Sequence, residues 1–84
     1  MRPVTIYTTS WCPYCAAAKG LLKRKRAEFR EIDIDAVEGA REEMIERAGR
    51  TSVPQIFVGE EHVGGCDDLH ALDRAGRLDP LLAA

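Results

Sequence analysis

The sequence predicts an α/β fold: a four-stranded mixed sheet flanked by helices, in the order β-α-β-α-β-β-α. Three observations carry this expectation. Short runs with strand-like alternation, Val4-Thr5-Ile6-Tyr7 and Phe29-Arg30-Glu31-Ile32-Asp33-Ile34, are separated by a stretch long enough for a helix. Two further short runs, Gln55 to Val58 and Glu61-His62-Val63, are separated only by Gly59-Glu60, which reads as a hairpin turn. Two cysteines three positions apart, Cys12 and Cys15, lie at the junction of the first strand and the first helix. At 84 residues the chain is one domain, 1–84. A chain this short buries only about 60% of its unfolded surface but can fold alone.

Residues 3 to 8 form the expected first strand. The first helix is expected over residues 14 to 26, with Ala17, Ala18, Leu21 and Leu22 inward and Lys19, Lys23 and Arg26 outward. The basic run Lys23-Arg24-Lys25-Arg26 lies in its last turn, where cations complement the helix dipole, so it is read as a solvated helix end. The second strand, 29 to 34, follows a whole helix and is expected to run parallel to the first through a right-handed crossover. The second helix is expected from Val37 to Ala48. Ala40, Met44, Ile45 and Ala48 form its apolar stripe, and Gly49 its C-terminal stop. Gln55 to Val58 is mostly apolar and therefore central, and residues 61 to 63 return antiparallel to it. Gly64-Gly65 breaks that strand before a third helix from about Asp67 to Ala75, with Leu69 and Leu72 inward. Leu78, Leu81 and Leu82 pack as a terminal turn.

This order, with chemistry at the carboxyl end of the first strand, is that of the thioredoxin-type fold. With Cys12 as helix N-cap, Pro13 falls at the first helical position, where its missing N–H costs nothing. The spacing places both sulfurs on one face of the first turn, within reach of a disulfide. Free N–H groups of that turn favour a thiolate on Cys12, the attacking sulfur; Cys15, one turn inside, suits the resolving role. Structural zinc would need a second pair of ligands. Cys66, His62 and His70 are not spaced as one, so no metal is expected and thiol chemistry is the stronger reading. Net charge of −2 marks no nucleic-acid or membrane-surface binder, and no apolar run approaches the roughly 20 residues of a membrane span. The N-terminus runs straight into a strand, leaving no room for a signal peptide, so the expected location is cytoplasmic.

Cys12-Pro13-Tyr14-Cys15, then Thr51-Ser52-Val53-Pro54-Gln55-Ile56-Phe57, then Gly64-Gly65-Cys66-Asp67-Asp68-Leu69 together resemble the dithiol glutaredoxins, most closely the small bacterial ones. The match extends to R-E-E-M-I-E-R at 41–47 and L-D-P-L-L at 78–82, and so over nearly the whole chain. The resemblance implies a glutathione-dependent disulfide oxidoreductase that acts on protein disulfides and glutathione mixed disulfides through Cys12 and Cys15. Glutathione is its co-substrate and no cofactor is tightly bound. It further implies a glutathione site formed by Tyr14, Arg41, Ser52, Val53, Pro54, Gly65, Cys66 and Asp67. In it, a cis Pro54 holds the Val53 backbone extended to pair with substrate. Asp67 and the N–H groups at Cys66 and Asp67 take the γ-glutamyl end, Arg41 contacts the glycyl carboxylate, and Tyr14 flanks the sulfur. Asp68 is read as a first-turn or capping acid.

Thr9 stands where many family members carry Lys, which removes a cation near Cys12 unless Lys19 or another basic residue replaces it. Trp11 is read as contact surface, Cys66 as a small residue at a helix start or a thiol open to glutathionylation, and His62 and His70 as surface residues. Partners implied are glutathione and disulfide-bonded or glutathionylated proteins, ribonucleotide reductase among the family's clients, with the protein a monomer. Two rival readings carry discriminating features. A redoxin served by thioredoxin reductase would have no need of a glutathione site. A glutathione-ligated iron–sulfur carrier would more often show C-G-F-S than C-P-Y-C.

Overall fold

In the computed structural model, which describes all residues from Met1 to Ala84, the chain forms β1 (Val4–Thr8), α1 (Pro13–Arg24), β2 (Phe29–Asp33), α2 (Ala40–Ala48), β3 (Gln55–Val58), β4 (Glu61–Gly64), α3 (Cys66–Arg74) and α4 (Leu78–Ala83). The sheet order is β2-β1-β3-β4. β1 pairs with β2 in parallel, Val4 opposite Phe29 and Tyr7 opposite Ile32. The other two pairings are antiparallel, with Val4 opposite Val58 and Phe57 opposite His62. The architecture is the thioredoxin-type arrangement expected from the sequence.

The period of two along the strands divides the core into two layers. Val4 and Ile6 of β1 and Ile56 and Val58 of β3 face one side, where Ala18, Leu21 and Leu22 of α1, Leu69 of α3 and Leu78 and Leu82 of α4 cover them. Tyr7, Ile32 and Phe57 face the other side, under Ala40 and Met44 of α2. Burial on both faces explains why β3, after Gln55, reads as a continuous apolar run rather than an alternation.

Several boundaries differ from expectation for local reasons. α1 stops at Arg24, because Lys25 closes its last carbonyls and Arg26 takes a left-handed φ of 57° that turns the chain toward β2. α2 begins at Ala40, not Val37. The Asp33 carboxylate accepts from the N–H groups of Asp35 (2.9 Å) and Ala36 (3.3 Å), winding 33–36 into a side-chain-capped turn. Gly39, at φ 80°, then precedes the helix. Ile45 lies at the margin of the buried face and is 36% exposed. Ala17 is exposed rather than inward. The terminal turn is the short helix α4, whose Leu78 and Leu82 close the α1–α3 layer.

Candidate functional site

The site forms where α1 leaves β1. Cys12 is the N-cap of α1, extended at φ −150° and ψ 104°, with Pro13 in the first turn. Its Sγ accepts a hydrogen bond from the Cys15 N–H at 3.1 Å, so one of the free amides of the helix start points at sulfur. Cys12 is half-buried and reachable; Cys15 is 1% exposed. Burial, reinforced by the contact with Cys12, pushes the Cys15 thiol up to about 12. Two sulfurs one turn apart thus sit in different environments: one half-buried, reachable and receiving an amide, the other held as a buried thiol. Both cysteines are free thiols, the reduced state.

The segment before β3 crosses in front of Cys12. Val53–Pro54 is a cis peptide bond, and the Cys12 thiol lies 4.0 Å from the Val53 carbonyl oxygen, toward which it donates. Beside this segment opens a cleft of about 210 Å³, walled by Tyr14, Ser52, Val53, Pro54, Gly65, Cys66 and Asp67 together with Arg50 and Asp68. Tyr14 is 65% exposed at its rim. The floor is the start of α3, with Gly65 as N-cap and Cys66 and Asp67 in the first turn.

Asp68 acts as the capping acid expected of it. Its Oδ2 accepts from the Gly65 N–H at 2.9 Å and from Arg50 Nη1 at 3.1 Å, and these contacts hold its carboxyl below the usual range, the Gly65 amide first. Gly64, at φ 117°, permits this approach, since a Cβ there would strike the Asp68 carboxylate. Burial raises the Cys66 thiol, with the Asp67 charge acting the same way. His70 Nδ1 donates to the Cys66 carbonyl at 2.9 Å and lies 3.4 Å from its sulfur, so His70 covers Cys66 rather than pointing to solvent. His62 too is half-buried: its Nε2 is 2.7 Å from Gln55 Oε1 and its ring stacks on Phe57 at 4.9 Å.

Seven of the eight residues expected to bind glutathione therefore meet in one cleft. Arg41 does not. It lies in the first turn of α2, where Asp35 holds its guanidinium at 2.7 Å, and it is absent from the cleft wall. The cation in the wall is Arg50, which the sequence reading missed. The available signal was its position directly before Thr51-Ser52-Val53-Pro54 and after Gly49, the expected stop of the second helix. Lys19 is engaged elsewhere, with Glu31 at 3.0 Å, so the charge it could have lent the cleft is turned toward β2. No group of three or more His, Cys, Asp or Glu side chains is arranged to hold a metal ion.

A reachable, half-buried cysteine at a helix N-terminus, a fully buried partner one turn on and a peptide-lined cleft beside them define a thiol–disulfide oxidoreductase of the thioredoxin fold. Comparison with known proteins narrows the class. The family model described as "Glutaredoxin" matches residues 4–63. The chain is 62% identical over 84 residues to a glutaredoxin of Pseudomonas aeruginosa, covering 100% of both chains. It is 58% identical over 82 residues to glutaredoxin 3 of Escherichia coli K12, covering 98% of this chain and 99% of that one. Among solved structures, it superposes on a buckwheat glutaredoxin–glutathione complex with a TM-score of 0.90 at 28% identity, covering 98% of this chain and 77% of that chain. A glutaredoxin from Brucella melitensis gives 0.85 at 61% identity, covering 98% and 89%. The chain belongs to the glutaredoxin family. Its activity is glutathione-dependent thiol–disulfide exchange, with glutathione as co-substrate.

Proposed function

We propose that the whole chain, 1–84, acts as a monomeric cytoplasmic glutaredoxin in which Cys12 attacks, Cys15 resolves and the cleft beside Val53 seats glutathione. The observation that carries this reading is the placement of Cys12 Sγ, 4.0 Å from the Val53 carbonyl at the edge of the cleft and under the Cys15 amide.

The ligand's groups fit the wall in order. The carboxylate of the γ-glutamyl end suits the N–H groups at the start of α3, and its ammonium suits the Asp67 side chain. The cysteinyl backbone pairs with Val53 as an added strand, which brings the glutathione sulfur to Cys12. Ser52, Pro54 and Gly65 shape the cleft around this backbone, Cys66 supplies its amide, and Tyr14 closes the sulfur end. The glycyl carboxylate lies toward Arg50, the role the sequence reading gave to Arg41.

On a glutathione mixed disulfide, the Cys12 thiolate attacks the glutathionyl sulfur, forms Cys12–SG and releases the client thiolate. A second glutathione thiolate attacks that sulfur, forming oxidised glutathione and restoring Cys12. On a protein disulfide, Cys12 forms a mixed disulfide with the client and releases the client's other thiolate. Cys15 then gives up its proton, attacks Cys12 Sγ, closes the Cys12–Cys15 bond and releases the second client thiol. Two glutathione molecules reverse that bond, leaving as oxidised glutathione. Because Cys15 is buried and held as a thiol, it stays idle until the intermediate forms beside it.

On the other side of Cys12, Trp11, 89% exposed, borders an apolar groove with Pro13 and Ala16, a surface suited to a protein client. Ribonucleotide reductase is a client of the family and a candidate here.

The test is turnover coupled to glutathione reductase and NADPH, with a small glutathione mixed disulfide and separately with a disulfide-bonded protein. Cys12→Ser is expected to abolish both activities, while Cys15→Ser retains the first and loses the second. Equal loss in the Cys15 variant would refute this division of roles, and turnover with thioredoxin reductase alone would refute the glutathione cleft.

A further inference from the structure

Two polar side chains that take no part in the thiol chemistry are tied to the cleft through a single peptide plane. Gln55 opens β3 and is fully buried, 0% exposed, so its amide donors and acceptor need partners inside the protein. Its NH₂ donates to the Ser52 carbonyl at 3.0 Å and lies 3.4 Å from Ser52 Oγ. Its Oε1, left to accept, meets His62 Nε2 of β4 at 2.7 Å. An amide oxygen only accepts, so this contact requires the proton of the His62 ring to reside on Nε2.

The ring is fixed from several sides. Phe57 lies against it at 4.9 Å, tilted by 31°, and Arg50, Arg47 and Asp68 are its charged neighbours. Burial, aided by Arg50 and Arg47 against the opposing pull of Asp68, holds the imidazole below its usual pKa, so the neutral form prevails near neutral pH.

The consequence lies on the opposite side of the peptide. Ser52 C=O and Val53 N–H belong to one planar trans unit and point in opposite directions. Gln55 holds the carbonyl inward, and the N–H is thereby turned outward at a residue that lines the cleft. The Val53 N–H has no hydrogen-bond partner within the chain, as a donor reserved for a ligand should. We propose that Gln55 and His62 are positioning residues for glutathione: the chain His62–Gln55–Ser52 sets the peptide plane that presents the Val53 N–H to the ligand's backbone. The inference rests on the reading of the cleft given above and deepens it. Discrimination between glutathione and other thiols then depends on a histidine on the far strand of the hairpin, which touches neither ligand nor sulfur.

The test compares wild type, His62→Leu and His62→Gln, the last of which retains a side-chain donor of similar reach. With the glutathione mixed disulfide of a small thiol, loss of one properly aimed hydrogen bond is expected to raise KM about two- to tenfold in His62→Leu, with kcat changed less. Alkylation of Cys12 by iodoacetamide, which reads the thiol without the cleft, is expected to proceed at the wild-type rate, and His62→Gln to return KM close to wild type. An unchanged KM in His62→Leu, or a rise that His62→Gln does not reverse, overturns the proposal. In the wild-type protein, nitrogen-15 shifts of the His62 ring are expected to show the Nε2–H tautomer. Finding the proton on Nδ1 overturns the proposal even where the leucine variant fails to fold. Titration with S-methylglutathione, a non-reactive probe, separates the two levels. A Val53 amide resonance that ignores it in wild type removes the cleft reading and this inference together. A resonance that shifts identically in wild type and His62→Leu removes this inference alone.

Discussion

Arg50→Gln is expected to weaken glutathione recognition where Arg41→Gln does not. Arg50 is the cation in the cleft wall, and Arg41 is bound to Asp35 outside it. Two unit charges about 4 Å apart interact by roughly 1 kcal/mol in water and roughly 4 kcal/mol at an effective dielectric of 20. The Arg50 side chain is 50% exposed and already shares its charge with Asp68 at 3.1 Å, so the lower figure applies. Losing about 1 kcal/mol corresponds to about a fivefold rise in KM for a glutathione mixed disulfide, with kcat nearly constant because the carboxylate lies far from the reacting sulfurs. The assay is the glutathione reductase-coupled reaction at low and moderate salt. Wild-type KM should climb with ionic strength as the contact is screened, and the Arg50→Gln value should climb less. The pair of variants guards against a general charge effect, since each removes one positive charge. A rise with Arg41→Gln equal to that with Arg50→Gln would refute the reasoning, as would no rise with Arg50→Gln.

Three further outcomes follow from named contacts. Gly64→Ala places a Cβ against the Asp68 carboxylate at a φ of 117°, so it should lower stability by about 1–3 kcal/mol and raise KM by disturbing the start of α3; a thermal melt and kinetics matching wild type would contradict this. Tyr7→Phe deletes a buried hydroxyl that donates to Glu43 and accepts from Arg47 at 2.8 Å, and should cost about 1 kcal/mol, or about 4–8 °C in Tm, with turnover unchanged. A Tm equal to wild type would sink that assignment. Raising pH should also weaken the reduced fold through Cys15. Its thiol is raised from 9.0 to about 12 in the folded state, so between those values the unfolded chain has lost a proton that the folded chain keeps. This contribution is intact below pH 9 and declines by up to about 1.4 kcal/mol per pH unit as pH rises toward 12. Denaturant melts of wild type and Cys15→Ala over that range should differ in slope, and parallel slopes would count against it.

What the sequence made legible, and what it hid, divides along how local the governing physics is. Cys12, Pro13 and Cys15 could be placed because their roles follow from one helix turn: the N-cap, the missing proline amide and the three-residue spacing are contiguous in the chain. The α3 floor was legible for the same reason, since Gly64-Gly65 and the acids after them are a local cap. Arg41 was assigned from the family resemblance, which places a residue along the chain but not the direction of its side chain; it lies on α2 as read, with its guanidinium held by Asp35 outside the cleft wall. The Asp33 carboxylate caps the amides of Asp35 and Ala36 in the turn before α2, and Asp35 in that turn pairs with Arg41. His62 and His70 read as surface residues because an edge strand and a short helix show mixed polarity, and polarity alone does not say what lies across. Their partners are Gln55, seven positions earlier on the paired strand, and Cys66, one helical turn back. The network of Tyr7, Glu43 and Arg47 spans 40 positions and appears in no periodicity. The reacting sulfurs thus owe their chemistry to segments that carry it in a few consecutive residues. Aiming the ligand toward them falls to polar contacts between segments that only the folded sheet brings together. A substitution at Cys12 or Pro13 should therefore change the rate of exchange. One at Arg50, Gln55 or His62 should change which thiol is exchanged, and the two effects should combine nearly additively wherever the sites share no partner.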